Sequence, residues 1–412
     1  MNKKISLLSI CVICFFASCK TQESKKTVKQ NFDFASKQLV YALQMIDTAK
    51  ANDVRDSLTK AERPLVSPRT VDKDGELKLV VSRDWTSGFF PGELWYMYEF
   101  TENPKWEKQA KAFTASIEEQ KNTKTTHDLG FIMYCSFGNG FRITKEQSYK
   151  PILIEAANSL ISRYKPNAKI IRSWDHNRDK WQCPVIIDNM MNLELLFWAS
   201  KESGDSTYYN IAVNHANTTI KNHFRSDYGT YHVIDYDTIT GEVLNRHTHQ
   251  GYAHESTWSR GEAWGLYGYT MCYRETKDDV YLNQARHIAE FIFNHPNLPT
   301  DLIPYWDFDA PNIPDEPRDV SAATITASAL YELSTYGGEK AEQYKKWADT
   351  ILENLTTNYG ATLNEDGGFL LLHSTGSKPS NSEVDVPLVY ADYYFLEALL
   401  RKNKIENNQP LH

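Results

Sequence analysis

The chain is poor in cysteine, with six in 412 residues, and three of these, Cys11, Cys14 and Cys19, fall in its first nineteen positions. The remaining three, Cys135, Cys183 and Cys272, are far apart among apolar neighbours, a pattern that excludes zinc-type spacing and predicts buried free thiols. An excess of positive charge is also missing. A formal net charge of -8 argues against a general nucleic-acid binder, because phosphate backbones want a basic surface, and an anionic ligand would need local cations. No stretch after the N-terminus is long and apolar enough to cross a bilayer. Nor does anything after residue 33 read as a linker, so one large domain is expected over residues 33–405.

What the N-terminus does have is Lys3 and Lys4 followed by an apolar run from Ile5 to Ala17, too short to span a membrane and typical of a secretory signal. The run closes on Phe16-Ala17-Ser18-Cys19, which resembles a bacterial lipoprotein signal whose cysteine is lipidated after cleavage. The expectation is a signal peptide over 1–18, a lipidated Cys19 and a polar tether over 19–32. That places the protein at a cell membrane, lipid-anchored and facing the periplasm.

Helical periodicity dominates the rest. Ile152, Leu153, Ala156, Ala157, Leu160, Ile161 and Tyr164 mark one helix face, and Leu282, Ala285, Ile288, Ala289 and Ile292 another. A weak repeat sets an aromatic residue one turn before an alanine at Trp106/Ala110, Tyr208/Ala212, Tyr281/Ala285 and Tyr344/Ala348. Each pair follows a polar turn after another helical stretch, so the chain reads as helical hairpins. About twelve helices are expected: 33–60, 88–101, 105–120, 128–142, 148–165, 188–203, 206–223, 260–275, 279–295, 320–336, 340–357 and 386–402. Twelve helices in hairpins can close into an all-α (α/α)6 barrel; an open solenoid would keep a constant repeat length, and the spacing here is irregular. Alternation through Thr230, His232, Ile234 and Tyr236 before Thr238-Ile239-Thr240-Gly241 predicts one β-hairpin in a long loop.

Two aspartates precede apolar helices: Asp128 in His127-Asp128-Leu129-Gly130-Phe131, and Asp188 in Ile187-Asp188-Asn189-Met190-Met191-Asn192. Each could be a helix cap. In a barrel of inner and outer helices, however, the inner N-termini meet at one mouth, where two carboxylates would raise the proton affinity of one of them. Aromatic and polar residues cluster at Asp84-Trp85-Thr86-Ser87-Gly88-Phe89, Ser173-Trp174-Asp175, Gln250-Gly251-Tyr252 and Trp258-Ser259-Arg260-Gly261-Glu262-Ala263-Trp264. Indole faces against pyranose rings, with polar groups for hydroxyls, make such clusters suited to sugars. Filling a large core is the other use for those tryptophans. Arg260 is suited to a forked grip on a carboxylate.

At these segments the sequence resembles the unsaturated glucuronyl hydrolases of glycoside hydrolase family 88, from Trp85 to about Tyr394. The likeness is carried by His127-Asp128-Leu129-Gly130-Phe131, Ile187-Asp188-Asn189-Met190-Met191-Asn192, Trp258-Ser259-Arg260-Gly261, Ala263-Trp264-Gly265 and Tyr390-Ala391-Asp392-Tyr393-Tyr394, in the family's order. The resemblance implies an (α/α)6 barrel, Asp188 as catalytic acid/base and Asp128 as its carboxylate partner. It implies His127, Trp85, Trp174, His232, Gln250, Arg260 and Trp264 as substrate contacts. Glu262 departs from the family, which more often has glutamine there. Relatives that take sulfated sugars use a serine- and lysine-containing loop, whose nearest counterpart is Ser374-Thr375-Gly376-Ser377-Lys378.

The implied reaction is not displacement at the anomeric carbon by two carboxylates. The substrate is an acidic oligosaccharide, of glycosaminoglycan or ulvan type, whose terminal uronic acid carries the C4–C5 double bond left by a polysaccharide lyase. Asp188 protonates C4 of this enol ether, water adds at C5, and the hemiketal opens to release the sugar, with no metal or cofactor needed. Two alternatives are an unsaturated rhamnogalacturonyl hydrolase, sharing fold and mechanism, and a non-catalytic lipoprotein that captures oligosaccharides.

Overall fold

The structure is a computed structural model, and it describes residues 26–412. The first helix, α1 (Val28–Ala51), begins earlier than the expected tether allows: Thr27 and Gln30 form a reciprocal capping box, and Val28 and Phe32 are already buried. The folded domain therefore takes in residues assigned to the tether. The expected helix 33–60 is also two helices, because the chain breaks after Ala51 and restarts at α2 (Ser57–Glu62), capped by Asp56. A hairpin of β1 (Leu65–Val71) and β2 (Leu77–Val81), which periodicity did not reveal, leads to α3 (Phe89–Thr101) and α4 (Pro104–Ala115).

The remaining helices are α5 (Asn139–Thr144), α6 (Tyr149–Ile161), α7 (Leu193–Ser203), α8 (Ser206–His223), α9 (Ser259–Thr276), α10 (Asp279–Asn294), α11 (Val320–Ser334), α12 (Ala341–Asn358) and α13 (Val389–Glu406). Two inner elements start irregularly. A π-helix, Gly130–Gly138, runs into α5, and a 3-10 turn, Ile187–Asn192, runs into α7. The inner ring packs in the order α3, the π-helix with α5, α7, α9, α11 and α13, and closes where α13 meets α3. The barrel is thus an (α/α)6 barrel, as expected. Closure explains the composition of the inner helices: every residue of α9 from Ser259 to Cys272 and of α11 from Val320 to Leu333 is buried.

Outer helices bury one face only. All eight residues of the aromatic–alanine repeat are buried, each pair lying on an outer helix (α4, α8, α10 or α12) that packs on the inner helix before it. The small alanine lets the two helices approach while the aromatic ring fills the groove beside it. Loops at one end carry the rest of the β-structure: β3 (Tyr164–Lys165) with β4 (Ile170–Ile171), then β5 (Pro184–Ile186) added to the hairpin β6 (Val233–Tyr236)–β7 (Val243–His247), and β8 (Ser374–Ser377) with β9 (Ser382–Val386). The predicted hairpin is present, but β5 covers its other edge, so Val233 and Asp235 are buried as well as Ile234 and Tyr236. Among the described residues no helix is long and apolar enough to cross a membrane. Cys135, Cys183 and Cys272 are buried free thiols; Cys19 lies outside the described residues.

Candidate active site

The inner helices direct their N-termini to the mouth, and there a cavity of about 300 Å³ opens. Its wall includes Asp128, Asp188, His127, Trp85, Trp174, Gln250 and Arg260. Trp85 and Arg260, 175 positions apart, thus meet in one concavity.

Neither aspartate caps a helix. The π-helix and the 3-10 turn start from Leu129 and Ile186, and neither receives a side-chain cap. Asp128 is instead held by the Thr126 hydroxyl and by His127, whose Nε2 lies 3.2 Å from its Oδ1. Burial acts to raise the Asp128 pKa, but His127, Thr126 and Arg163 outweigh it and hold the carboxyl below its usual value. Asp188 is the opposite case. It is only 8% exposed, and its Oδ2 has no hydrogen-bond partner in the protein. Burial pushes its pKa up to about 6, against the pull of His127, Arg260 and its own backbone N–H; the Asp128 charge adds only the least of these influences. The expected inequality of the two carboxyls is present, and desolvation produces it more than mutual repulsion.

His232 stands behind Asp188 rather than in the cavity wall. Its Nδ1 accepts the backbone N–H groups of His249 and Gln250 at 3.1 Å each, which leaves the proton on Nε2, 3.7 Å from Asp188 Oδ2. Burial holds this ring far below its usual pKa, so it is neutral. Trp264, also expected to touch a ligand, is fully buried and sits a layer back, tilted against Phe131 and edge-on to Tyr394. Its place on the buried α9 decides this.

Arg260 lines the cavity, yet its fork is largely committed. Nη1 donates to Asp319 Oδ2 and the Thr375 carbonyl, and Nη2 to the Gly376 carbonyl, all at 2.6 Å. The guanidinium lies 4.5 Å over the Trp258 ring. These donors fasten β8 over the mouth, a use that the forked-grip expectation did not include. Gln250 Nε2 donates to the same Gly376 carbonyl at 3.1 Å. From the other side Arg69 joins Asp84 at 2.9 Å and Glu383, on β9, at 2.5 Å. Arg69 lines the cavity and was not foreseen, because its partners lie 15 and 314 positions away. Trp174 stacks on His176 at 5.4 Å and tilts against His249 at 5.7 Å, two further wall residues that carry no local sequence signal.

Glu262 lies outside the cavity wall and is fully buried on α9. Its Oε1 accepts the Thr230 backbone N–H at 2.5 Å and its Oε2 has no partner. Burial raises its pKa to about 8, against the Thr230 hydrogen bonds, so near neutral pH it is an uncharged acid of nearly the same shape as glutamine. Two close approaches hold the backbone around Asp128. A side chain at Gly88 would meet the Phe131 carbonyl at 2.2 Å, and one at Gly130 would meet the Asn192 Cα at 2.5 Å. Among the described residues no three His, Cys, Asp or Glu side chains converge as a metal-ligand set would.

The sequence profile of Glycosyl Hydrolase Family 88 matches residues 57–398. The unsaturated glucuronyl hydrolase of Formosa agariphila is 54% identical over 330 residues, 79% of this chain and 82% of that protein. The unsaturated chondroitin disaccharide hydrolase of Streptococcus agalactiae is 34% identical over 330 residues, again 79% of this chain and 82% of that protein. Among solved structures, an unsaturated glucuronyl hydrolase described as specific for heparin superposes with a TM-score of 0.86 at 47% identity, covering 92% of this chain and 98% of its own. One from a Bacillus species gives 0.79 at 29%, covering 90% and 97%.

Proposed function

We propose, on the premise that this chain belongs to Glycosyl Hydrolase Family 88, that it removes the 4,5-unsaturated uronic acid from the non-reducing end of lyase-cut acidic oligosaccharides. It is a glycosidase. The observation that carries the reading is Asp188: a buried carboxyl in the cavity wall, one oxygen without a partner, its pKa pushed up to about 6. Such a group can donate a proton near neutral pH and take one back as its conjugate base. Enol-ether hydration asks for both from one residue. Asp188 gives its proton to C4, the cation that develops at C5 is met by water, and the Asp188 carboxylate accepts that water's proton. The hemiketal then opens and the sugar leaves.

The supporting roles belong to the same proposal. Asp128 stays ionised under His127 and Thr126, adjacent in the same wall, and favours the cationic transition state. Neutral His232 offers its Nε2 proton toward Asp188 Oδ2 and steadies the carboxylate once it forms. Trp85 and Trp174 supply ring faces, and Trp174 Nε1, buried without a partner, supplies a donor. Sugars of the glycosaminoglycan kind are the substrate class, consistent with the chondroitin and heparin named for its relatives. The test is the ultraviolet absorbance of the conjugated uronate: it should disappear on mixing with lyase-generated disaccharides, and no loss across heparin, chondroitin, hyaluronan and ulvan fragments would refute the reading.

The proposal extends to location. Cys19, preceded by Phe16-Ala17-Ser18, is the acylated residue and anchors the enzyme at the membrane, facing the periplasm. Cys19→Ala should move the protein from the membrane to the soluble fraction; retention there would refute the anchor.

A further inference from the structure

Two cavities enter the barrel from opposite ends. The catalytic one occupies about 300 Å³ at the mouth. The other, about 490 Å³, is rimmed by the exposed Lys145 and Lys201 and lined by charged groups such as Glu194, Arg274 and Glu397. Phe131 lines both. It is 1% exposed, and its ring is bracketed by Trp85 at 5.4 Å, Phe89 at 5.5 Å and Trp264 at 5.2 Å. Trp264 in turn meets Tyr394 at 5.4 Å, in the wall of the second cavity. The Phe131 backbone cannot shift freely, since its N–H donates to Asn192 Oδ1 at 3.1 Å and Gly88 packs against its carbonyl. The ring is therefore a fixed aromatic partition, three residues beyond Asp128 in the first turn of the π-helix.

We infer that Phe131 is a positioning residue for the hydration reaction proposed above, a septum that keeps the solvent-open cavity at the far end from reaching Asp188. The inference rests on that functional reading. His127 and Asp128 from the turn before the π-helix, His232 from the segment entering β6 and Arg260 from α9 face Asp188, and Arg69, His176, His249, Glu383 and Tyr390 line the same cavity. Across the septum lie Glu194, Arg274, Glu397 and Arg401. Burial outweighs each of the facing groups in setting the Asp188 acid strength, so water admitted through the floor would act on the dominant influence. A ring that only filled space would not be coupled to that carboxyl.

A graded series tests this: Phe131→Leu, Phe131→Val and Phe131→Ala, each first checked for a cooperative thermal transition. With a lyase-generated unsaturated disaccharide, kcat/KM should fall as pH rises through the Asp188 pKa. Phe131→Leu keeps the seal and should hold that limb in place. Phe131→Val and then Phe131→Ala should move it to lower pH, by up to about one unit. If the alanine variant does not fold, valine carries the test. Lower kcat and a lower melting temperature with the limb unmoved in the folded variants would overturn the septum. An infrared titration of the carboxyl C=O band that is lost in Asp188→Asn reads the same shift without turnover. An inactive wild-type protein would therefore refute the hydrolase reading, whereas an unshifted band in Phe131→Ala would refute the septum.

Discussion

Two buried carboxylates, Glu332 at the far end of the barrel and Asp188 at the mouth, are treated in opposite ways. At the far end Arg274 reaches Glu332 at 2.8 Å and Glu275 at 3.0 Å and also bonds Glu194, while Arg401 meets Glu332 at 3.1 Å. Burial alone would raise the Glu332 pKa, but Arg274, His412 and Arg401 hold it far below its ordinary value. At the mouth Asp188 is also buried, yet the nearby guanidinium of Arg260 directs its fork at Asp319 and two carbonyls. Its pKa rises to about 6. Both carboxyls are buried; what differs is whether a cation is aimed at them, which holds Glu332 ionised and leaves Asp188 able to carry a proton.

The sharpest break in this contrast is Asp188→Asn, which keeps shape but has no proton to give. Turnover should fall by about two to four powers of ten with substrate still bound, measured as loss of the ultraviolet signal against a direct binding titration. Stability should move the other way. A carboxyl whose folded pKa is raised contributes stability that is complete below the unfolded value and is lost as pH rises through about 6, so at pH 7 the asparagine variant should melt higher than wild type. Asp188→Asn with near-normal turnover would end the proposed mechanism.

At the far end the same kind of change should break the fold instead. Arg274→Met leaves Glu332, Glu194 and Glu275 without their shared cation, and denaturant unfolding should show a loss of about 3–5 kcal/mol, with the pH profile of the remaining enzyme unmoved. A shift in that profile would mean that the two ends are electrically coupled.

A smaller effect is expected from Asp128→Asn. Removing its charge lowers the Asp188 pKa, so the limb where activity falls with rising pH should move to lower pH, by less than about one unit, because burial and not Asp128 dominates. Turnover should drop as well, since the ionised neighbour of the developing cation is gone. A limb that moved to higher pH would assign Asp128 a different part.

Smallest is Glu262→Gln. The acid is raised to about 8 when folded, so its stabilising contribution is complete below the unfolded value near 4.5 and lost as pH rises through 8. The glutamine variant should match wild type in melting temperature at pH 4, exceed it by pH 8, and keep its activity at neutral pH. Equal melting curves at both pH values would show that Glu262 is not held as a neutral acid.

Much of this molecule can be read from the chain alone. Helical periodicity and the aromatic–alanine pairs located the hairpins, because a helix that packs on one face must repeat its apolar residues every turn. The sequence also marked Asp128 and Asp188, and Trp85 and Trp174, since each sits beside a helix start or in a polar–aromatic cluster that no core requires. Tertiary structure alone decided the rest. Arg69 joined the mouth through Asp84 and Glu383, the Arg260 fork was taken by Asp319 and the β8 carbonyls, and Trp264 and His232 withdrew behind the wall. Local pattern specifies which face of an element is apolar. The direction of a guanidinium and the dryness of a carboxylate depend on neighbours brought from elsewhere in the chain when the ring closes.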